Sequence, residues 1–217
     1  IMKKLFIMFS VTIIVFSMIF LLFRFFLQKN DTAFPVFHVA QDAEVKKEEN
    51  SDFAAPLDRA AERVTKKPFG IFISPGSSPV QPERFAGYHT GADFEVFPEE
   101  QDSDVFVRAV CEGRLLSKKS ATGYGGVAVQ ACELENDSIT VIYGHLDLGS
   151  VNAKIGDNIR KGDVLGKLGR GYSEQTDGER KHLHLGFHKG NLLDILGYVD
   201  SQEKLSDWID SCLYVCK

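Results

Sequence analysis

The stretch Lys181-His182-Leu183-His184-Leu185-Gly186-Phe187 constrains this chain most. Apolar residues alternate with histidines, and strict alternation is the period of a half-buried β-strand. Successive side chains of a strand point to opposite faces, so Leu183, Leu185 and Phe187 share the core side. His182 and His184 then stand together on the other face. Two imidazoles on a rigid strand suit a metal site, since nitrogen ligands need fixed support. An H-x-H pair alone fits an ordinary strand with two outward polar residues better.

The ends of the chain read differently from its middle. Residues 5–23 are apolar except for Ser10, Thr12 and Ser17. As a helix, such a run nearly crosses a hydrocarbon core of about 30 Å. Arg24 ends it, and no small-x-small cleavage pattern follows directly. The expectation is a transmembrane signal anchor over 1–28, with a cleaved signal peptide as the alternative. The amino-terminal tail is then inside, and the rest is a single-pass, extracytoplasmic region at the cell membrane. The chain carries a net charge of −5. Its first 29 residues hold Lys3, Lys4, Arg24 and Lys29 and no acids, so the remainder is still more acidic. An acidic domain argues against nucleic acid as a partner.

Residues 29–66 read as a flexible stalk, being charged and poor in large apolar groups, with a short helix possible at 54–64. A domain is expected over 67–217. Its first part, 68–88, holds Pro75, Pro79 and Pro82 among glycines and reads as irregular chain on a surface. From 89 onward short β-branched runs alternate with turns: 105–110, 113–116, 127–129 and 139–143, with Gly123 to Gly126 and Asn136-Asp137 as turn signals. The fold class is therefore mainly β, a compact antiparallel sandwich or barrel-like domain. Leu205, Trp208, Ile209, Cys212, Leu213 and Cys216 recur at helical spacing, which predicts a short C-terminal helix.

The four cysteines are Cys111, Cys132, Cys212 and Cys216, with no C-x-x-C pair to suggest a zinc knuckle. A turn at 123–126 would bring Cys111 near Cys132. A bridge between Cys212 and Cys216 would distort the expected helix. Buried free thiols are the alternative for both pairs.

A second cluster lies upstream, His89-Thr90-Gly91-Ala92-Asp93. In an extended segment His89 and Asp93 can point the same way, and Gly91 permits close backbone approach. With one histidine of 182–184 they make three ligands, leaving a fourth position for water, which is the catalytic arrangement of zinc. His145, in Tyr143-Gly144-His145, remains with the other histidine of the pair to serve proton transfer or oxyanion stabilisation. His188 reads as structural or surface, and His38, in the stalk, is given no role.

Taken in order, these motifs resemble those of the lysostaphin-type zinc metallopeptidases, which cut peptidoglycan peptides. The matching features are H-x-x-x-D at His89 to Asp93, Tyr143-Gly144-His145, His182-Leu183-His184, the Gly123-Tyr124-Gly125-Gly126 segment and the run Ile155 to Gly166, within a motif core of 85–190. The resemblance implies the duplicated hybrid motif fold, an antiparallel β core. It implies one Zn2+ held by His89, Asp93 and His184, with His145 and His182 as the catalytic pair and peptidoglycan as substrate. The chain departs from the family where Ser/Thr-Gly-Pro often precedes the H-x-H. It has Thr176-Asp177-Gly178-Glu179-Arg180-Lys181 instead.

Two other readings are weaker. A non-catalytic wall-binding or hydrolase-activating module on the same fold would typically lack some of the five site residues, and all five are present. Ile155 to Gly169 also resembles the hammerhead of biotinyl and lipoyl carriers. Those place a lysine beside methionine in a tight turn, whereas the three methionines here are Met2, Met8 and Met18.

Overall fold

The computed structural model describes residues 52–217. Along the chain the strands are β1 (Phe72–Ile73), β2 (Gly87–His89), β3 (Gly91–Glu95), β4 (Phe106–Arg108), β5 (Gly113–Ala121), β6 (Gly125–Leu134) and β7 (Asp137–Gly144). They continue as β8 (Leu146–Asp147), β9 (Asn158–Ile159), β10 (Val164–Leu168), β11 (His182–Lys189), β12 (Tyr198–Val199) and β13 (Trp208–Ile209). Two helices of four residues each, α1 (Gln202–Leu205) and α2 (Cys212–Val215), lie near the C-terminus.

The main sheet is antiparallel and runs β13-β11-β7-β6-β5-β9. Strand β11 organises it. One edge of β11 pairs with β7 from His184↔Gly144 to Lys189↔Ile139. The other edge is shared. Its first half pairs with β3, placing His184 opposite Asp93 and His182 opposite Glu95, and its second half pairs with β13. Two three-stranded sheets, β4-β10-β8 and β1-β2-β12, flank it. The β6–β7 hairpin turns at Glu135 and Asn136, both with positive φ, as tight two-residue hairpins require.

The predicted alternation of β11 is realised. Leu183, Leu185 and Phe187 are fully buried in the large core, with Phe94, Val141, Tyr143 and Leu115. The opposite face is buried too. A smaller cluster of Tyr124, Val127, Val129, Ile142 and Trp208 covers it. The histidine face is thus largely shielded from solvent, where a polar group left without a partner is costly.

Residues 53–64, at the end of the expected stalk, belong to this packed unit. Phe53, Leu57 and Ala60 join the core, and the Phe53 ring lies 5.3 Å from that of Phe187. The short helix expected around 54–64 is a single 3-10 turn, Ala60–Glu62. The backbone carbonyls of Arg63 and Lys67 accept from the Glu95 and Asp93 N–H groups, so the segment lines the outer edge of β3.

Two expectations are corrected. The single C-terminal helix is broken: Trp208 and Ile209 form a strand on the exposed edge of β11, against His188 and Phe187. Unpaired edge groups there gain a partner that a helix would deny them. The transmembrane helix, the membrane as partner and the single-pass cell-membrane location are not upheld. No helix among the described residues is long and apolar enough to cross a membrane, and four-residue helices fall far short of the roughly 20 residues a span needs. The stretch 1–28 that prompted the expectation lies outside the described residues. What the structure supports is a compact antiparallel β domain with short C-terminal helices. Both cysteine pairs are bridged, Cys111 to Cys132 and Cys212 to Cys216. The second bridge needs no distortion mid-helix, because α2 ends at Val215.

Candidate metal centre

Three backbone relations build the site. His89 closes β2 and Asp93 sits in the middle of β3, with Thr90 between the strands. Asp93 faces His184 directly across the β3–β11 ladder, where same-face side chains meet. Gly91 makes the approach possible. A Cβ there would lie 2.8 Å from His184 Nε2 and 2.6 Å from the Leu185 carbonyl oxygen.

His89, Asp93 and His184 are each buried, and each directs one ligand atom to a common point. His89 Nε2 lies 3.0 Å from His184 Nδ1. Asp93 Oδ1 lies 3.2 Å from each of them. Ligand atoms about 2.0 Å from a tetrahedral ion stand roughly 3.3 Å apart, so this triangle matches one face of such a shell. The donor set agrees. His89 Nδ1 donates to the Pro68 carbonyl at 3.2 Å, which leaves Nε2 as a lone pair. A carboxylate and imidazole lone pairs converging in a buried space need a cation among them. The cluster can hold a metal ion.

On the other side of Asp93 stand His182 and His145, with ring centroids 4.2 Å apart. His182 donates from Nδ1 to the Arg180 carbonyl at 2.9 Å, and its Nε2 lies 3.3 Å from Asp93 Oδ2. His145 follows β7 in the left-handed region, at φ 63, a conformation that turns its ring toward the cluster instead of along the strand. The predicted five residues therefore converge. His188 does not: it sits further along β11 against Trp208, at 4.8 Å. His38 lies outside the described residues.

Burial and neighbouring charge set the protonation states. Burial pushes the Asp93 carboxyl up, but its electrostatic contacts with the surrounding imidazoles, His182 first and then His89 and His184, outweigh it. Asp93 is thus held well below the usual carboxylate range. Burial and the proximity of His182 hold His145 well below the ordinary imidazole value. Burial, opposed by Asp93, lowers His184 to about 4. Both imidazoles are neutral at neutral pH, the state that offers a lone pair.

The cluster opens into a cleft of about 350 Å³. Tyr124 and Tyr198 flank it. The Tyr124 ring is 5.2 Å from that of His184 and 5.6 Å from that of His145. Tyr198 packs on His89 at 5.1 Å and stacks with Phe85 at 5.5 Å. Gly144 makes room for Tyr124, since a Cβ there would lie 2.4 Å from its ring. Under the wall, Lys67 and Glu83 form a buried ion pair at 2.6 Å. Sequence reasoning did not single out Arg180, Lys67, Glu83 or Tyr198. Charged and aromatic residues on separate loops and a short strand show no spacing pattern. The one available signal was the departure from the family pattern at 176–181.

Residues 87–195, half of the chain, match peptidase family M23. Endolysin 2638A of Staphylococcus phage 2638A is 34% identical over 100 residues, which are 46% of this chain and 18% of that protein. This chain thus matches only a small part of that relative's length. Among solved structures, LytU is similar with 20% identity and a TM-score of 0.47, over 70% of this chain and 83% of that one. CbpA from L. salivarius REN is similar with 20% identity and a TM-score of 0.48, over 75% and 94% of the two chains. The sequence match spans every one of the five convergent residues, and the chain is a member of peptidase family M23.

Proposed function

We propose that the chain is a zinc-dependent endopeptidase that hydrolyses stem or cross-link peptides of peptidoglycan. The observation that carries this reading is the triangle of His89, Asp93 and His184 ligand atoms, 3.0–3.2 Å on a side and open to a cleft. The mixed nitrogen and oxygen donors suit zinc, and three protein ligands leave one position for water or substrate. When bound, the ion supplies Lewis acidity and lowers the pKa of a bound water to about 7. Membership of the peptidase family and the likeness to an endolysin support the peptide bond and the wall as substrate.

The chain's own groups divide the remaining work. His89 and His184 hold lone pairs toward the ion, and Asp93 adds a charge through Oδ1. His182 keeps its Nδ1 proton on the Arg180 carbonyl, so its Nε2 is free to take a proton. Asp93 Oδ2, at 3.3 Å, then steadies the resulting imidazolium. His145, beside it, donates to the oxygen on which negative charge develops. The aromatic wall of Tyr124, Tyr198 and Phe85 receives an extended peptide and limits water. A non-catalytic wall-binding role is disfavoured, because all five polar groups converge where binding alone requires none of them.

Digestion of purified sacculi, with release of peptides followed by mass spectrometry, tests the reading. Wild type is expected to release peptides with zinc and not after chelation. Asp93→Ala should lose both zinc and turnover, while His145→Ala should keep zinc and lose turnover by about 100-fold or more. Wild-type digestion by either variant would refute the assignment.

A further inference from the structure

Asp93 uses its two oxygens differently. Oδ1 faces the ligand triangle, at 3.2 Å from both imidazole nitrogens. Oδ2 accepts from Arg180 Nη2 at 2.9 Å. Arg180 is buried, and its own position is doubly fixed. Its Nε donates to both Glu95 oxygens at 3.0 Å, and its Nη2 also contacts Glu95 Oε1. Glu95 is anchored in turn by Lys66 Nζ at 3.2 Å. The arrangement follows from strand parity. Asp93 and Glu95 share one face of β3, while His184 and His182 share the facing side of β11. Arg180 stands two residues before His182, so its side chain crosses the row diagonally and lands between the two carboxylates.

This guanidinium comes from the segment where the chain departs from the usual family pattern. A glycine or proline in that segment could supply no such contact. We infer that Arg180 is a positioning residue that holds Asp93 to one-oxygen ligation and so keeps the fourth coordination position open. This inference rests on the metal-binding reading above. The physical reason is competition for Oδ2. A carboxylate beside a divalent ion gains by bringing up its second oxygen, unless that oxygen already has a better fixed, charge-assisted partner. Arg180 is such a partner, with a planar fork pinned by Glu95. Without it, Asp93 and Glu95 would share a buried space with their charges less compensated. Asp93 would then rotate both oxygens toward the ion.

Cobalt substitution reads the coordination number directly. Wild type and the variants Arg180→Lys and Arg180→Met are loaded with Co2+. The visible spectrum is recorded, and Co2+ and Zn2+ affinities are measured by competition with a chromophoric chelator. Trp208 emission and thermal unfolding confirm that each variant is folded. Wild type is expected to bind one Co2+ with the intense absorption of a four-coordinate ion. Arg180→Met should show the weaker, shifted band of a five-coordinate ion. Metal affinity should change by about 10–100-fold, as loss of a ligand-orienting partner does. Arg180→Lys, which keeps the charge but not the fork, should lie between the two. If Arg180→Met does not fold, Arg180→Lys alone decides by its spectrum. Folded variants with wild-type spectrum and affinity would overturn this role and leave the zinc reading standing. Failure of wild type to bind either metal would overturn both.

Discussion

Replacing Lys67 with methionine strands the Glu83 carboxylate inside the cleft wall. Both side chains of the pair are almost fully buried, with Nζ and Oε2 2.6 Å apart. Removing one partner of a buried pair costs about 3–5 kcal/mol, because the other charge stays behind. Glu83 keeps three contacts: the Ser78 hydroxyl at 2.8 Å and the Arg84 and Phe85 N–H groups at 2.9 Å. These place the expected loss near the lower end, about 3 kcal/mol, or roughly a hundredfold in the folding constant. The pH dependence gives a second reading. Burial raises the Glu83 carboxyl, but Lys67, the Phe85 N–H and Ser78 together hold it below its ordinary 4.5. A depressed folded-state pKa means stability that is present above the unfolded value and lost as pH falls through the folded one. In Lys67→Met burial loses its main opponent and the shift weakens or reverses. The variant's deficit should therefore be greatest near neutral pH and shrink on acidification to about pH 4. Urea unfolding followed by emission of Trp208, the single tryptophan and a buried one, measures both quantities. A deficit below about 0.5 kcal/mol at neutral pH, or one that grows on acidification, would refute the reasoning.

Phe187→Ala should cost about 3–5 kcal/mol in the same assay, since Phe187 is fully buried and packs on Phe53 and Tyr214. Proteolysis should then cut earlier near residue 53, as that segment loses its main anchor. Gly144→Ala places a Cβ 2.4 Å from the Tyr124 ring and should cost about 1–3 kcal/mol. Because Tyr124 packs on His184 and His145, chelator competition should also show weaker zinc binding; unchanged affinity would mean that Tyr124 does not support the site.

How far the site was legible depends on the residue. The alternation over 182–187 specified a strand and its two faces, because side-chain direction in a strand follows from parity alone. The pairing of His89 with Asp93 required only that the backbone between them be extended around Gly91. Trp208 and Ile209 misled, since their helical spacing was outweighed by the unpaired edge of β11, which no local pattern reveals. Arg180 was visible only as an odd residue in the loop before the H-x-H. Its role emerged once β3 lay beside β11 and put two carboxylates within its reach.

Local pattern, then, supplied the strand, the candidate donors and the family resemblance, because these depend on residue type and short spacing. Placing donors nearly a hundred positions apart within 3.2 Å of each other was the work of the antiparallel β3–β11 ladder. So was the choice of which Asp93 oxygen faces His89 and His184. Cross-strand neighbours are set by register between distant segments, and register exists only in the folded molecule.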